Sequence, residues 1–204
     1  MTELGDGFPA VLAAASAGDP QAFAQLWRSS HPILIRYLKV LCGDAAEDIA
    51  SETWLKAMAA LNTFDGNEQG FRGWLIVIAR NHARDLSRRA ARRPESLSPD
   101  LSDHAKVTAP DAADEALERS GTASALRLVA TLPGAQAEMV MLRVVVGLDV
   151  ADVARIVGRS PGAVRVAVHR GLRTLATQLR GPAISPTAVH VTQTAGPALN
   201  GRDV

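Results

Sequence analysis

Basic side chains are concentrated in one short stretch of this chain, GRSPGAVRVAVHRGLR, from Gly158 to Arg173. The stretch contains four arginines and one histidine, while the whole chain has a formal charge of only +1. No acidic residue stands between Val153 and Arg180. Arginine can neutralise DNA phosphates and can donate two hydrogen bonds to the O6 and N7 atoms of guanine. The residue types therefore favour DNA binding, with a solvated basic face as the alternative.

The elements that must carry these side chains are a helix, a tight turn and a second helix. Gly158 stands where the first helix must stop, because glycine tolerates the left-handed backbone of such a stop. Ser160 is the predicted N-cap of the second helix and Pro161 its first residue. Ala154 is small where two helices would cross closely. Together these features are typical of a helix-turn-helix.

The second helix of this unit has two different faces when its residues are spaced at 100°. The face predicted to dock on the domain carries Val164, Val168, Leu172, Leu175 and Leu179. The residues predicted to meet DNA in the major groove are Ser160, Gly162, Arg165, Val166, His169, Arg170 and Arg173.

A second basic cluster lies between Arg72 and Arg93, with seven arginines and one acid. Its predicted helix begins at Phe71 and is stopped by Pro94, with Phe71, Leu75, Ile78, Ala79 and His82 on the apolar side. The preceding loop, FDGNEQG, offers an aromatic ring for stacking and an amide for base-edge hydrogen bonds, which suits an extruded base. A solvated face is again the alternative. The residues predicted to bind nucleic acid here are Phe64, Asn67, Arg80, Asn81, Arg84 and Arg88.

A third surface has the opposite charge, on a predicted helix from about Ala45 to Leu61. Its predicted buried side consists of Ile49, Thr53, Ala57 and Leu61. Asp48 and Glu52 share the outer face with Leu55. A leucine between two acids on the solvent side favours a protein partner with a basic groove, although two acids alone are common on a solvated face.

The composition favours helices over a β-sandwich, since 47% of the 204 residues are apolar but only 4% are aromatic. Helical patterns on both sides of an acidic stretch predict an all-α fold of two small helical domains. We expect a first domain over residues 1–93, a flexible acidic linker over 94–121, a second domain over 122–180 and a disordered tail over 181–204. Between Glu95 and Glu118 the linker carries seven acids against Lys106. In the first domain, Pro32 is expected to kink or break a helix that Asp19 caps.

Several classes of protein are disfavoured. No run approaches the roughly 18 apolar residues of a membrane span, and the N-terminus lacks the basic start of a signal peptide, so we expect a cytoplasmic protein without membrane insertion. Cys42, the single cysteine, is expected to be a small buried residue and excludes an internal disulfide. The histidines and acids are scattered, without a phosphate loop or metal-ligand spacing. We therefore predict no catalytic residue, metal site, cofactor or small-molecule substrate.

Three segments in this order resemble the two conserved regions of extracytoplasmic-function (ECF) sigma factors, the small promoter-recognition subunits of bacterial RNA polymerase. They are DAAEDIASETWLKAMAALNTF, FRGWLIVIARNHARDLSRR and LPGAQAEMVMLRVVVGLDVADVARIVGRSPGAVRVAVHRGLRTL. The resemblance implies a helical region-two domain, a linker and a region-four domain. It assigns the Asp48/Glu52 helix to the clamp helices of the polymerase, the Phe64 loop and Asn81 helix to the minus-ten element, and the Pro161 helix to the minus-thirty-five element.

The leading interpretation is therefore a non-enzymatic initiation subunit that binds core RNA polymerase and promoter DNA. Most members of this family are held inactive by an anti-sigma factor, which the resemblance adds as a possible partner. The alternative is an autonomous helix-turn-helix regulator, which would bind duplex DNA without polymerase, usually as a dimer. The sequence leaves no apolar stripe or heptad pattern for a dimer interface, which favours the first interpretation.

Overall fold

The computed structural model describes residues 3–91 and 121–180. Within these residues every regular element is a helix or helical turn and no strand occurs, which confirms the predicted all-helical fold. The expected linker, apart from Gly121, and the expected tail at 181–204 lie outside the described residues.

Four helices build the amino-terminal half, and short 3-10 turns join or precede them. The helices are α1 (Phe8–Ser16), α2 (Pro20–Cys42), α3 (Ala46–Ala60) and α4 (Glu68–Ala91). The Asp19 side chain accepts a hydrogen bond from the Gln21 N–H at 2.7 Å, which confirms it as the N-cap of α2. Helix α1 is an addition to the sequence-based prediction, which assigned no helix before Asp19.

Pro32, which was expected to kink or break its helix, does not break it. Helix α2 continues through it from Pro20 to Cys42. A proline inside a helix removes one backbone hydrogen bond. Leu26 precedes it and Ile33 and Leu38 follow it, each no more than 1% exposed. Burial on both sides of Pro32 stabilises the continuous helix against the loss of that bond.

The core of the amino-terminal half confirms the predicted buried side of α3. Ile49, Thr53, Ala57 and Leu61 are all buried, and the Thr53 hydroxyl donates to the Ile49 carbonyl at 2.6 Å. Satisfying its hydroxyl on its own helix lets the threonine lie in an apolar interior. Helix α3 packs against both α2 and α4, which fixes the direction in which its opposite, acidic face points.

The carboxy-terminal half consists of four helices and one π-helical turn. The helices are α5 (Thr122–Ala130), α6 (Gly134–Val140), α7 (Val150–Val157) and α8 (Pro161–Arg180), and the π turn Met141–Val145 follows α6. Gly158 ends α7 with φ of 69°, in the left-handed region, as predicted. The Ser160 hydroxyl accepts from the Ala163 N–H at 3.2 Å, which confirms its capping role.

The apolar stripe predicted on α8 is only partly buried. Val164 and Leu175 are buried, whereas Leu172 is 43% and Leu179 is 72% exposed, so two of its five members were placed wrongly. Repeated steps of four residues drift by about 40° each on an α-helix, which turns later members away from the core. The buried side includes Gly171 instead, whose backbone lies against α6.

This close approach yields a stability prediction. A methyl group added at Gly171 would lie 2.7 Å from Val140 Cγ2 and 3.2 Å from Gln136 Cγ. We expect Gly171→Ala to lower the free energy of unfolding by about 1–3 kcal/mol, the usual cost of overpacking. The measurement is chemical denaturation followed by circular dichroism.

Gly162→Ala is the matched control on the same helix. The nearest atom to its added methyl group would be Ser160 Oγ at 4.0 Å. Alanine is the better helix former, so this variant should be unchanged or up to about 1 kcal/mol more stable. Equal stability of the two variants would contradict the packing of α8 on α6.

Candidate protein and nucleic-acid interfaces

The acidic surface of α3 lies on the solvent side, as predicted. Asp48 and Glu52 are exposed, and Leu55 is 61% exposed. Met58, one turn beyond Leu55, is 53% exposed and extends the apolar part of this face. The sequence-based interpretation did not include Met58, although its spacing of three residues from Leu55 could have indicated it. Two acids beside two exposed apolar side chains form a surface suited to a basic, partly apolar partner.

The loop before α4 is an ordered structure built around an aromatic cluster. The half-buried Phe64 ring lies 5.3 Å from the Phe71 ring and 5.3 Å from the Trp74 ring, between centroids. A methyl group at Gly66 would lie 2.9 Å from Phe64 Cζ, so the turn needs glycine there. Much of the Phe64 surface is therefore used inside the protein, and the remaining exposed part is what a base could contact.

Asn67 has a structural role at the start of α4. Its side-chain oxygen accepts from the Gly70 N–H at 2.8 Å, which is an N-cap interaction. Asn67 was predicted to hydrogen-bond a base edge, and this cap already uses its side-chain oxygen as an acceptor, while the amide nitrogen can still donate.

The first turn of α4 is anchored by a pair that sequence analysis missed. The Glu68 carboxylate accepts from the Leu4 and Gly5 N–H groups at 3.0 Å each, and from Arg72 at 2.7 Å. Arg72 is buried and also reaches Glu3 at 3.3 Å. The first arginine of the basic cluster therefore holds the N-terminal segment against α4. Its i, i+4 spacing from Glu68 was the available signal.

The remaining predicted side chains on α4 divide into two groups. Asn81, Arg84 and Arg88 are exposed, with Arg88 at 3.7 Å from Asp85. Arg80 is only 11% exposed in its side chain and donates to Glu138 of α6 at 2.6 Å through Nε. Three of the four therefore share an open face, and Arg80 is engaged with the carboxy-terminal half.

Tyr37 completes this contact from α2. Its ring is 1% exposed, and its hydroxyl donates to the same Glu138 oxygen at 3.0 Å. Burial, followed by the nearby Glu138 charge, raises the pKa of Tyr37 well above its usual value, so the phenol stays protonated as a donor. A cavity of about 200 Å³ lies beside this pair and is lined by Cys42 and Arg84, among others.

Cys42 is half-buried at this cavity rather than fully enclosed. Burial and the Glu138 charge raise the pKa of its thiol to about 11. The thiolate is the reactive form of cysteine, so this side chain is inert at neutral pH.

The basic face of α8 is open along its length. Gly162, Arg165, Val166, His169, Arg170 and Arg173 are all exposed. Helix α7 supports α8, since Val153 and Ala154 are buried in the angle between them and the Asp149 side chain caps α7 through the Asp152 N–H at 2.7 Å. The Gln136 side chain donates to the Ala167 carbonyl at 3.2 Å and ties α8 to α6. The predicted residues therefore lie on one rigid, unobstructed helix surface.

The described residues contain neither a metal-ligand cluster nor a helix that could span a membrane. Residues 3–91 and 121–180 contain no group of three or more metal-ligating side chains. Over the same ranges, no helix combines the length and the apolar character that a membrane span requires.

Two segments of the chain match known protein families. Residues 26–93 match the family model described as Sigma-70 region 2, and residues 122–175 match Sigma-70, region 4. The first contains the acidic face of α3 and the open face of α4. The second contains the helix-turn-helix. The two halves of the chain therefore carry two conserved regions of the sigma-70 class.

Two relatives of this chain are ECF RNA polymerase sigma factors. The chain is 35% identical over 168 residues to the ECF RNA polymerase sigma factor BldN of Streptomyces coelicolor, covering 81% of this chain and 63% of that protein. It is 37% identical over 176 residues to the ECF RNA polymerase sigma factor ShbA of Streptomyces griseus, covering 81% of this chain and 92% of that protein. The chain belongs to the ECF RNA polymerase sigma factors.

A solved structure shares the fold. The sigma factor RpoE, crystallised with the anti-sigma factor NepR from Bartonella quintana, aligns with a TM-score of 0.55 and 22% identity. The alignment covers 78% of this chain and 97% of that one. Sigma factors are non-enzymatic initiation factors that act with RNA polymerase, which confirms the leading interpretation, and the autonomous regulator is not favoured.

Proposed function

We propose that this protein directs promoter recognition and DNA melting by joining three surfaces to core RNA polymerase and promoter DNA. Residues 1–93 form the region-two domain, 94–121 the linker, 122–180 the region-four domain and 181–204 an accessory tail. The observation that carries the proposal is the exposure of an acidic-apolar face on α3 and a basic face on α8 in one chain, at Sigma-70 regions 2 and 4.

The polymerase contact is assigned to Asp48, Glu52 and Leu55. All three are exposed on one side of α3, so binding needs no rearrangement of the helix. The carboxylates supply charge complementarity to a basic partner, which sets orientation and the rate of encounter. Leu55 supplies apolar area that becomes buried on association.

The minus-ten contact is assigned to the start and outer face of α4. Asn81, Arg84 and Arg88 are exposed, which supports contacts to an extruded base and its flanking phosphates. Phe64 and Asn67 are proposed as the floor of the base site, because both hold the loop that precedes this face. Arg80 belongs to the same proposed surface once its guanidinium is free.

The minus-thirty-five contact is assigned to α8, placed in the major groove. Arg165, Val166 and His169 reach base edges, while Arg170 and Arg173 approach phosphates. Gly162 lets the start of the helix lie close to the DNA, and Ser160 places its N-terminus by capping it.

Two further statements belong to the proposal. The protein acts in the cytoplasm, where bacterial RNA polymerase transcribes DNA. An anti-sigma factor is a proposed partner, since the sigma factor whose fold this chain shares was crystallised with one.

The melting role is tested with Asn81→Ala. Loss of one hydrogen bond to an extruded base, of about 1–1.5 kcal/mol, should lower open-complex formation on duplex promoters by about tenfold. A promoter with a pre-melted minus-ten bubble should rescue the variant in part. The measurement is permanganate reactivity of unpaired thymines with the reconstituted holoenzyme.

Asn62→Ala is the control for this experiment. Asn62 is an exposed amide in the turn before the loop, so its loss should leave melting unchanged. An equal, unrescued loss for Asn81→Ala on both templates would mean that Asn81 reads a base without driving melting. Phe64→Ala is a weaker test, because its ring also stabilises the aromatic cluster.

A further inference from the structure

The two halves of the chain are joined by a buried ionic contact. Arg80 on α4 donates to both carboxylate oxygens of Glu138, through Nε at 2.6 Å and through the guanidinium NH2 group at 3.2 Å. The side chains are 11% and 16% exposed. Tyr37 adds a third donor to the same carboxylate at 3.0 Å. A part-buried carboxylate with three donors is held firmly, because charge-assisted and bidentate bonds are the strong ones.

A second contact joins the halves near the start of α4. The Gln69 side chain donates to the Gly147 carbonyl at 2.7 Å. Leu148 is 1% exposed, and its Cδ2 would lie 3.2 Å from a methyl group added at Gly73. Glycine at position 73 therefore lets the loop after the π turn pack tightly against the helix.

Gln69, Gly73 and Arg80 lie on one side of α4. Their separations of four and seven residues bring them to within about 40° of each other around the helix. The carboxy-terminal half therefore meets this side of α4 at two places, near Gln69 and at Arg80, while Asn81 is exposed. Arg84 borders the cavity beside Glu138, so the second contact lies at the edge of the proposed DNA surface.

We infer that Glu138 acts as an internal substitute for a DNA phosphate and holds the free protein in a closed state that withholds Arg80 from the minus-ten DNA. This inference rests on the proposed minus-ten surface and adds a regulatory role for a residue of the other domain. A guanidinium presents the same two-pronged donor pattern to carboxylate and phosphate. Its Nε and NH2 group cannot serve both at once, so DNA must displace Glu138.

The consequence is a coupling between the domains. Any event that moves region four away from α4 frees Arg80 and so raises the affinity for DNA. By linkage, DNA bound at Arg80 shifts the equilibrium towards the separated domains by the same factor. Glu138 therefore lowers the affinity of the free protein for DNA, and assembly with polymerase and promoter removes this penalty.

The experiment uses the full chain without polymerase. We measure binding of a fluorescein-labelled single-stranded oligonucleotide of mixed sequence by anisotropy, and the radius of gyration by small-angle X-ray scattering. Glu138→Gln should tighten oligonucleotide binding by about tenfold, in the range of typical coupling energies. It should also raise the radius of gyration. Arg80→Ala also breaks the contact, so this variant should itself be expanded, and adding Glu138→Gln to it should give no further gain in binding.

Asp152→Asn is the matched control. It removes one negative charge from the same half, at a surface pair with Arg155 that does not involve Arg80. Its oligonucleotide affinity should stay within about twofold of wild type, since long-range charge effects are screened by salt. Should Glu138→Gln fail to fold, Tyr37→Phe removes one donor to Glu138 and should give a smaller change in the same direction.

Two results would overturn the inference. One is unchanged affinity and unchanged radius in Glu138→Gln or, where that variant does not fold, in Tyr37→Phe. The other is a larger radius of gyration without tighter oligonucleotide binding, which would mean that the contact with Glu138 does not keep Arg80 from DNA. Failure of the proposed minus-ten surface is distinguished separately, because then Asn81→Ala would leave oligonucleotide binding unchanged in every background.

Discussion

Replacing Asp48 and Glu52 together by lysine is expected to abolish co-purification with core RNA polymerase while leaving helical content unchanged. Both side chains are exposed, so reversal of their charge does not touch the core. Like charges brought together at an interface cost several kcal/mol, which corresponds to a loss of affinity of about a hundredfold or more. The measurement is pull-down with tagged core polymerase, with circular dichroism to check folding.

Glu47→Lys is the control for charge on the same helix. Glu47 is exposed but points to a different side, at 3.7 Å from Lys39. The Glu47→Lys variant should assemble with polymerase nearly as well as the wild type. Leu55→Ala should weaken assembly more modestly than the double reversal, through lost apolar contact. A double variant that assembles and initiates normally would show that the acidic face is only solvated.

Arg165→Ala is expected to weaken promoter occupancy by about 1–3 kcal/mol and to relax the preference at one upstream base pair. The side chain is exposed on the outer face of α8, where a bidentate contact to guanine is sterically open. The measurement is occupancy by assembled holoenzyme over a set of single-base minus-thirty-five variants. A loss that is the same for all of these sequences would contradict base reading by Arg165.

Arg173→Ala is the matched arginine substitution, about two turns further along the same helix. As a phosphate contact, it should weaken binding to all sequences alike and lower the salt slope by about one unit. The losses caused by Arg165→Ala and by Arg173→Ala should be larger on promoters with a poor minus-ten element, because the minus-ten and minus-thirty-five contacts act together across the linker. No response to either variant would mean that this face of α8 does not bind DNA.

Local patterns predicted the parts of the fold that depend on local chemistry. The Asp19 and Ser160 caps, the left-handed Gly158 and the buried side of α3 are all confirmed, since each depends on residues within one or two turns. The break considered at Pro32 does not occur, because tertiary burial outweighs one lost hydrogen bond. Leu172 was misjudged, because a regular spacing of four does not follow the helix period over several turns.

The candidate site was predictable in its exposed residues and not in its internal contacts. Asp48, Asn81 and Arg165 stand on open faces that periodicity alone indicates. Periodicity cannot tell which basic side chain meets an acid from a distant segment. Arg80 and Glu138 are 58 residues apart in sequence, and only the packing of one domain on the other brings them together.

Run-off transcription with purified core RNA polymerase on genomic promoter fragments tests whether this protein is a promoter-specific initiation factor. We expect transcripts from new start sites only when this protein is added, and none with the Asp48→Lys/Glu52→Lys variant. Absence of any new transcript, together with tight binding to duplex DNA without polymerase, would contradict this role and favour an autonomous helix-turn-helix regulator.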